Sequence, residues 1–600
     1  DFSNNTMAEA KLEASVALMN GSGGFDCVIV CCNTEKMASY WQNRLEAGRG
    51  TVVPKSCIVL SVFEDWPGGA GNAFGTLYAW QKACALAITQ GHDIAASLTA
   101  KNISCALFHT AGKGTRLAPL PGSENNNKPG VKLPATMGSG GETWSILEAV
   151  VLQTGIYASS RKGRLSVFWG DQVFVPSVAS SYEPKHHADI LCTLGPMPSA
   201  EVWQAKGLDK YGLIAVSGAS GEAAQVDKVD HPTAQRLLAS LGEVASVGAS
   251  LGSFSVSSPL LSLFMSEFNA ELSAKAGKLD TDPGLWMPMT LGLEAYVDMM
   301  GPKGMEAGEA TAHHARIAAM KKRLPEFEEK AAAEAEAAAK AAEGSSPAPG
   351  SSKASKKSSS SGGESGKLLL FGAVDVGEKA YWWDYGQLKL YRTNNLKLVR
   401  EDGDHESATM RSFFSMHPSR VSGNSVLAPS VLSGGSTASG CKLGPRSAVV
   451  GSVLANVTCP EVSCEGAILV NVTACKIAVA PGCVVYNVAS TDPEGIVLTE
   501  PNSVLTTALL HAESSPPVGE AGEAAEAGAA ASAVVVGGSV REVTMRSSMD
   551  TDGGKAWKAA VFGNPFSFEQ VYEFNGDADV CAMEAASKAI HAAAAAKFSL

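Results

Sequence analysis

The chain is predicted to be an α/β protein: a mostly parallel sheet with helices on both faces, followed by a parallel β-helix-like domain. Three observations carry this. Short apolar runs rich in β-branched residues alternate with helix-spaced segments over residues 26–257. A glycine-rich loop directly follows one of those runs, at 111–116. From about residue 421 helical spacing disappears, and apolar residues recur six apart.

The elements follow in order. "CVIVCC" (27–32) reads as a buried strand, and "TEKMASYWQNRLEAG" (34–48) as a helix stopped by Gly48. "CIVLSVF" (57–63) is a second strand, followed by a glycine turn and the helical "NAFGTLYAWQKACALAITQ" (72–90). "ISCALFHT" (103–110) is a third. Strand–helix repetition of this kind predicts a parallel sheet covered on both faces. "RLSVFWGD" (164–171), "ADILCTLG" (188–195), "YGLIAVS" (211–217) and "VGASLGSFSVS" (247–257) continue it.

Residues 1–300 and 367–400 are assigned to this first domain, and 301–366 to an insertion. The insertion holds "EFEEKAAAEAEAAAKAAE", a polar helix without an apolar stripe, then a Ser-rich linker. It is expected to fold outside the core. Residues 421–510 form the β-helix-like domain, with Leu443/Val449, Val462/Ile468 and Ile477/Cys483 six apart. A β-sandwich is the alternative for that region. A low-complexity linker (511–540) leads to a C-terminal β segment and helix (541–600).

The formal net charge of −12 argues against a nucleic-acid partner, since a broad phosphate footprint needs a basic face. No apolar run is long enough to span a bilayer, so no membrane partner is expected. The 13 cysteines show no C-x-x-C spacing and read as free thiols in a reducing compartment. A cytoplasmic location is expected. A plastid or other organelle stays open, because the sequence begins at Asp1 rather than Met.

The chemistry concentrates in "ALFHTAGKGTRLAPLPGSENNNKPGVKLPA" (106–135). Gly112 and Gly114 let a backbone approach a ligand, and successive N–H groups of Ala111, Gly112, Lys113, Gly114 and Thr115 can cradle phosphate oxygens. Arg116 adds a planar fork of donors suited to a diphosphate, and Lys128 and Lys132 add two positive charges.

"AGKGTRLAPL…NKPGVKLP" resembles the signature of the sugar-nucleotide pyrophosphorylases, the sugar-1-phosphate nucleotidyltransferases. Their form is G-G-x-G-T-R-L-x-P-L followed by P-K-P. Here Ala111 stands at the first glycine, Asn127 at the proline, and "SENNN" lengthens the spacer. Either Lys128 or Lys132 matches the functional lysine. "VFWGDQVF" (167–174) and "YWWDYGQ" (381–387) resemble the family's metal-carboxylate segments, which implies Asp171 and Asp384 as ligands of Mg²⁺. "YGLIAV…QVDKVDHP" (211–232) and "GASLGSFSV" (248–256) resemble its sugar-phosphate segments, which implies Gly212, Asp227, Lys228 and Ser250. Asp227 replaces a glutamate there and Ser250 an asparagine.

The N-terminal "DWPGGAGNAFGTLYA" (65–79) is similar to a turn in the GDP-fucose pyrophosphorylase and fucokinase group, with Gly71 at the nucleotide. The C-terminal hexads resemble the left-handed β-helix of bacterial-type glucose-1-phosphate enzymes. The resemblance therefore implies a Rossmann-like nucleotidyltransferase domain. Its partners would be a nucleoside triphosphate, UTP or GTP, and a sugar 1-phosphate, giving an NDP-sugar and pyrophosphate. His109 is expected to pack at a strand end rather than move protons. A catalytically degenerate, nucleotide-sugar-binding regulatory or scaffold protein is the alternative, motivated by Ala111, Asp227, Ser250 and the spacer. Acyl transfer in the β-helix-like domain is disfavoured, because 421–490 holds no histidine; homo-oligomer formation or wall-like packing is expected there instead.

Overall fold

Alternate residues of the "CVIVCC" strand enter opposite cores. Val28, Val30 and Cys32 join one apolar cluster, while Cys27, Ile29 and Cys31 join another. The two-residue period of a strand places neighbours on opposite faces, so a strand apolar throughout must be covered on both. The computed structural model describes residues 2–21, 23–137, 141–344, 367–423, 425–428, 431–511 and 540–598.

Helices α1 (Phe2–Met19), α2 (Glu35–Ala47) and α3 (Gly71–Thr89) accompany strands β1 (Cys27–Cys32), β2 (Ile58–Phe63) and β3 (Cys105–His109). Helix α2 starts where Thr34 accepts a hydrogen bond from the Met37 N–H, and ends at Gly48. β2, β1, β3 and strand Arg164–Trp169 lie side by side and all parallel.

Beyond Arg164–Trp169 the sheet differs from the parallel expectation. Strand Val244–Ser257 runs antiparallel to Arg164–Trp169, to His186–Gly195 and to Gly212–Ser217. Gly212–Ser217 and Ala223–Asp227 form an antiparallel pair joined by a short turn, which reverses chain direction without a helix. Leu369–Asp375 returns after the insertion to pair, parallel, with His186–Gly195. The result is a mixed sheet in an α/β fold, parallel from β2 to Arg164–Trp169 and largely antiparallel beyond it.

The insertion is also less separate than its composition suggests. Ile317 and Met320 of helix Ala307–Lys322 are fully buried in the core beneath the sheet, and Leu324 and Phe327 pack beside them. Glu328 pairs with His187 at 3.0 Å. An alanine-rich helix can dock through a few large residues in its first turns while the rest stays solvated. The Ser-rich linker at 345–366 and the low-complexity residues 512–539 lie outside the described residues.

The C-terminal half is built from two parallel stacks. Thr437–Ser439, Val453–Cys459, Ile468–Thr473, Val484–Ala489 and Ser503–His511 form one, and Leu432–Ser433, Ala448–Val450, Val462–Glu465, Ile477–Val479 and Ile496–Leu498 the other. Leu454, Leu469 and Val485 of the first meet Val449, Val462 and Ile477 of the second in one core. Stacked partners recur 15 to 20 residues apart, 15 and 16 in the ladder Asn456–Asn471–Asn487. All three asparagines have left-handed backbone, with φ of 53°, 52° and 53°, a conformation asparagine tolerates better than most residues. The chain's last strand, Val540–Ser548, covers the edge of Ser503–His511 antiparallel.

Candidate functional site

β1, β3 and Arg164–Trp169 are adjacent and parallel, so their C-terminal ends open on one edge, the usual place for a ligand crevice in α/β sheets. The residues that follow each strand line a cleft of about 590 Å³: Asn33 after β1, Thr110 to Gly112 after β3, and Gly170 to Gln172 after Trp169. Gly71 and Asn72, at the start of α3, close one side, and Lys128 and Pro129 the other.

Gly71 is held by geometry. Its φ is +75°, and a Cβ there would meet the Leu279 carbonyl oxygen at 2.5 Å. Asn72 fixes the same segment: its N–H donates to Asp280 Oδ1 at 3.0 Å, and its Oδ1 accepts from the Thr281 N–H at 2.6 Å. The glycine loop is tied down by the Gly112 N–H, which donates to Asn33 Oδ1 at 3.0 Å.

Lys128 reaches across to Asp171, with Nζ 2.5 Å from Oδ2. Strand Tyr381–Asp384 pairs with Gln172–Val175 and brings Asp384 beside Asp171. Gly386 leaves the gap between them: a Cβ there would lie 3.0 Å from Asp171 Oδ2 and 3.0 Å from Asp384 Oδ1. Burial raises the Asp384 carboxyl above its ordinary value, and the charge of Asp171 adds to this. The Gly386 N–H, Lys128 and Arg116 pull it back down. Two carboxylates facing one gap suit Mg²⁺, which takes few protein oxygens and completes its shell with water and phosphate. Among the described residues, no group of three or more His, Cys, Asp and Glu is arranged to hold a metal.

His109 sits on the cleft floor, stacked on Trp169 with ring centres 5.5 Å apart. Thr76 Oγ1 donates to the Asn72 carbonyl at 2.7 Å, so its 2.8 Å contact with His109 Nε2 requires the imidazole to donate. Burial pushes the imidazole down to about 4, which keeps it neutral at neutral pH. That agrees with a packing role at the strand end.

The remaining sequence-predicted residues divide. Ala111 and Gly112 line the cleft, but Lys113, Gly114 and Thr115 turn toward the C-terminal segment. Lys113 lies 5.5 Å from the Tyr572 ring centre, and Gly553 packs against the Thr115 carbonyl. Arg116 is exposed and off the cleft wall, although its charge reaches Asp384. Gly212, Asp227 and Ser250 cluster: a Cβ on Gly212 would lie 3.7 Å from Ser250 Cβ and 3.8 Å from Asp227 Oδ1. Lys228 is exposed, 3.7 Å from Asp227, while Lys303 holds the same carboxylate at 2.6 Å. The cluster joins the cleft through Gly252, whose N–H donates to Ser250 Oγ at 3.0 Å and which packs on Trp169.

Lys132 does not belong to the cleft. It is 5% exposed and pairs with Glu124 at 3.5 Å, beneath the β stacks. Its N–H donates to the Tyr486 hydroxyl at 2.6 Å, and its carbonyl accepts from Tyr391 at 2.8 Å. Of the two candidate lysines, only Lys128 is brought to the carboxylates.

The spacer explains this separation. Glu124 accepts from Tyr486 and, at 2.9 Å, from Asn487 Nδ2. Asn126 donates to the Tyr572 carbonyl at 2.6 Å, and Asn127 accepts from Trp41 Nε1 at 3.0 Å. "SENNN" is thus the surface on which the β stacks and the C-terminal segment dock. Sequence reasoning also missed Asn33, Glu64, Asn72 and Gln172 on the cleft wall, and Lys303 at Asp227. Asn33 and Gln172 could have been found as residues just past predicted parallel strands. Glu64, Asn72 and Lys303 carry no local signal.

A scan against protein-family models finds no match. No curated protein matches the chain either.

Proposed function

We propose that this protein is a sugar-1-phosphate nucleotidyltransferase, with a Rossmann-like catalytic domain and a left-handed β-helix-like domain behind it. The observation that carries the reading is the Lys128–Asp171–Asp384 group at the strand ends, beside a glycine loop. The reaction is attack of a sugar 1-phosphate oxygen on the α-phosphorus of a nucleoside triphosphate, with pyrophosphate leaving. Both reactants are anionic, so positioning and charge neutralisation are what a protein must supply.

Lys128 neutralises the α-phosphate, and its partner Asp171 yields it when phosphate oxygens arrive. The Gly112 backbone lets the leaving diphosphate come close, and Arg116 swings from the surface to its outer side. Lys228 and Lys303, around Asp227, take the sugar phosphate, with Ser250 and Gly212 leaving room for the ring. Asp171 and Asp384 would hold Mg²⁺, whose chemistry when bound is to neutralise phosphate oxygens. UTP and GTP are the favoured nucleotides.

The test is pyrophosphate release across a panel of nucleoside triphosphates and sugar 1-phosphates with Mg²⁺. One pair turning over supports the reading. The second reading, a nucleotide-sugar-binding protein without turnover, is favoured by Arg116 standing off the cleft wall. Binding of a nucleotide with no release from any pair selects it.

A further inference from the structure

A second cavity, of about 430 Å³, lies where the spacer, the β stacks and the C-terminal helix Val580–Ala595 meet. This is within the range of small-molecule sites, roughly 300–1,000 Å³. Its wall joins polar side chains to the apolar surfaces of Tyr40, Val580, Ala592 and Ala595. The amides of Asn456, Asn471 and Asn487 run along one side as a ladder, with links of 3.3 and 2.9 Å. Thr458, Ser587 and Asn125 stand around it.

The charges in the wall balance. Arg44, Lys132 and Lys588 face Glu124, Glu142 and Glu584. Arg44 is bonded to Glu148 and Glu142, each at 2.6 Å, and Lys588 to Glu142 at 3.2 Å and Glu584 at 3.4 Å. An anion would find no surplus of positive charge. Lys132 Nζ, ion-paired with Glu124 at 3.5 Å, lies beneath the cavity surface rather than on it. A ring of hydroxyls both donates and accepts, as the amides and hydroxyl side chains of this wall do, and the carbon face of a sugar matches its apolar part.

We propose that this cavity binds a neutral, hydroxyl-rich ligand, a free sugar or the end of a sugar chain. The site is separate from the cleft and does not depend on the transfer reaction. Its hydroxyls meet Thr458, Ser587 and the asparagine ladder along the wall.

The experiment is calorimetric titration of the full chain with D-glucose, D-mannose, L-fucose and maltose, with inorganic phosphate as the anionic comparison. At least one neutral sugar is expected to saturate below 10 mM, and phosphate is expected not to compete. Maltose binding more tightly than every monosaccharide identifies a chain end; the reverse identifies a free sugar. Thr458→Val and Ser587→Ala, which remove one hydroxyl each with little change of shape, are each expected to weaken sugar binding about threefold with an unchanged melting temperature. Lys128→Ala is expected to leave it unchanged. No saturation by any sugar at 50 mM overturns the proposal, and so does binding that Lys128→Ala abolishes or that phosphate displaces.

Discussion

Lys128 and Lys132 stand four residues apart, at the two ends of one short turn, and meet opposite surroundings. Lys128 crosses an open cleft to a carboxylate on a different strand, and both partners stay about one-fifth exposed. Lys132 is sealed in a joint, and the groups around it belong to the spacer, the β stacks and the C-terminal helix. In the cleft, pairing is between side chains that a phosphate can displace. In the joint, Tyr486, Tyr391, Asn487 and Glu124 bond one another and the backbone, so displacement would cost buried polar groups their partners. The difference separates a lysine that can act on a ligand from one that fixes the architecture.

The strongest way to break this comparison is to exchange the consequences. Asp171→Asn and Lys128→Ala are expected to lower pyrophosphate release by about 10²–10³-fold, the usual loss for one preorganised charge-stabilising group, with melting unchanged. Full activity in Asp171→Asn would remove the metal assignment.

Lys132→Met is expected to do the reverse. It leaves Glu124 buried without its cation, which costs about 3–5 kcal/mol of stability in urea titration. Adding Glu124→Gln should recover a large part of that loss. If the double variant is no more stable than Lys132→Met, the pair is not what holds the joint.

A smaller effect tests the spacer. Asn127→Ala removes the acceptor for Trp41 Nε1, and about 1–3 kcal/mol is expected from the donor left unsatisfied, with turnover retained.

The smallest effect sharpens the comparison by pH. Burial lowers His109 in the cleft and His591 in the joint to about 4, below the 6.5 of a free imidazole. The unfolded chain therefore binds protons that the folded chain refuses. Stability is complete above about pH 6.5 and falls as pH drops toward 4, by less than about 1.4 kcal/mol per pH unit for each histidine. His109→Gln and His591→Gln should each flatten the profile of unfolding free energy against pH. A flat wild-type profile over that window would mean both rings protonate freely in the fold.

Much of this was legible along the chain. The strands at 27–32, 58–63 and 105–109 are apolar on both sides of their two-residue period, and the structure places them there. The helix stop at Gly48 and the glycine loop after β3 were equally local. The hexads at 443–483 marked the right residues for burial, yet stacked neighbours in the fold are 15 to 20 residues apart, because turns of unequal length separate the short strands. Antiparallel pairing of Val244–Ser257 was not visible, since a strand's own sequence does not carry its partner's direction. Helix Ala307–Lys322 looked detached, because two buried side chains, Ile317 and Met320, suffice to dock it.

The sequence by itself determined the parallel strands that bound the cleft, where the glycine loop falls, and which charged residues stand near it in the chain. Those follow from period, glycine placement and residue chemistry, all local properties. Only the tertiary structure decided which lysine faces Asp171 and what the "SENNN" spacer does. That choice depends on Tyr486, Asn487 and Tyr572, more than 350 residues away in sequence, arriving at Glu124 and its neighbours. No local pattern encodes a contact of that separation; it exists because the β stacks and the C-terminal segment must bury their polar edges against something that bonds them.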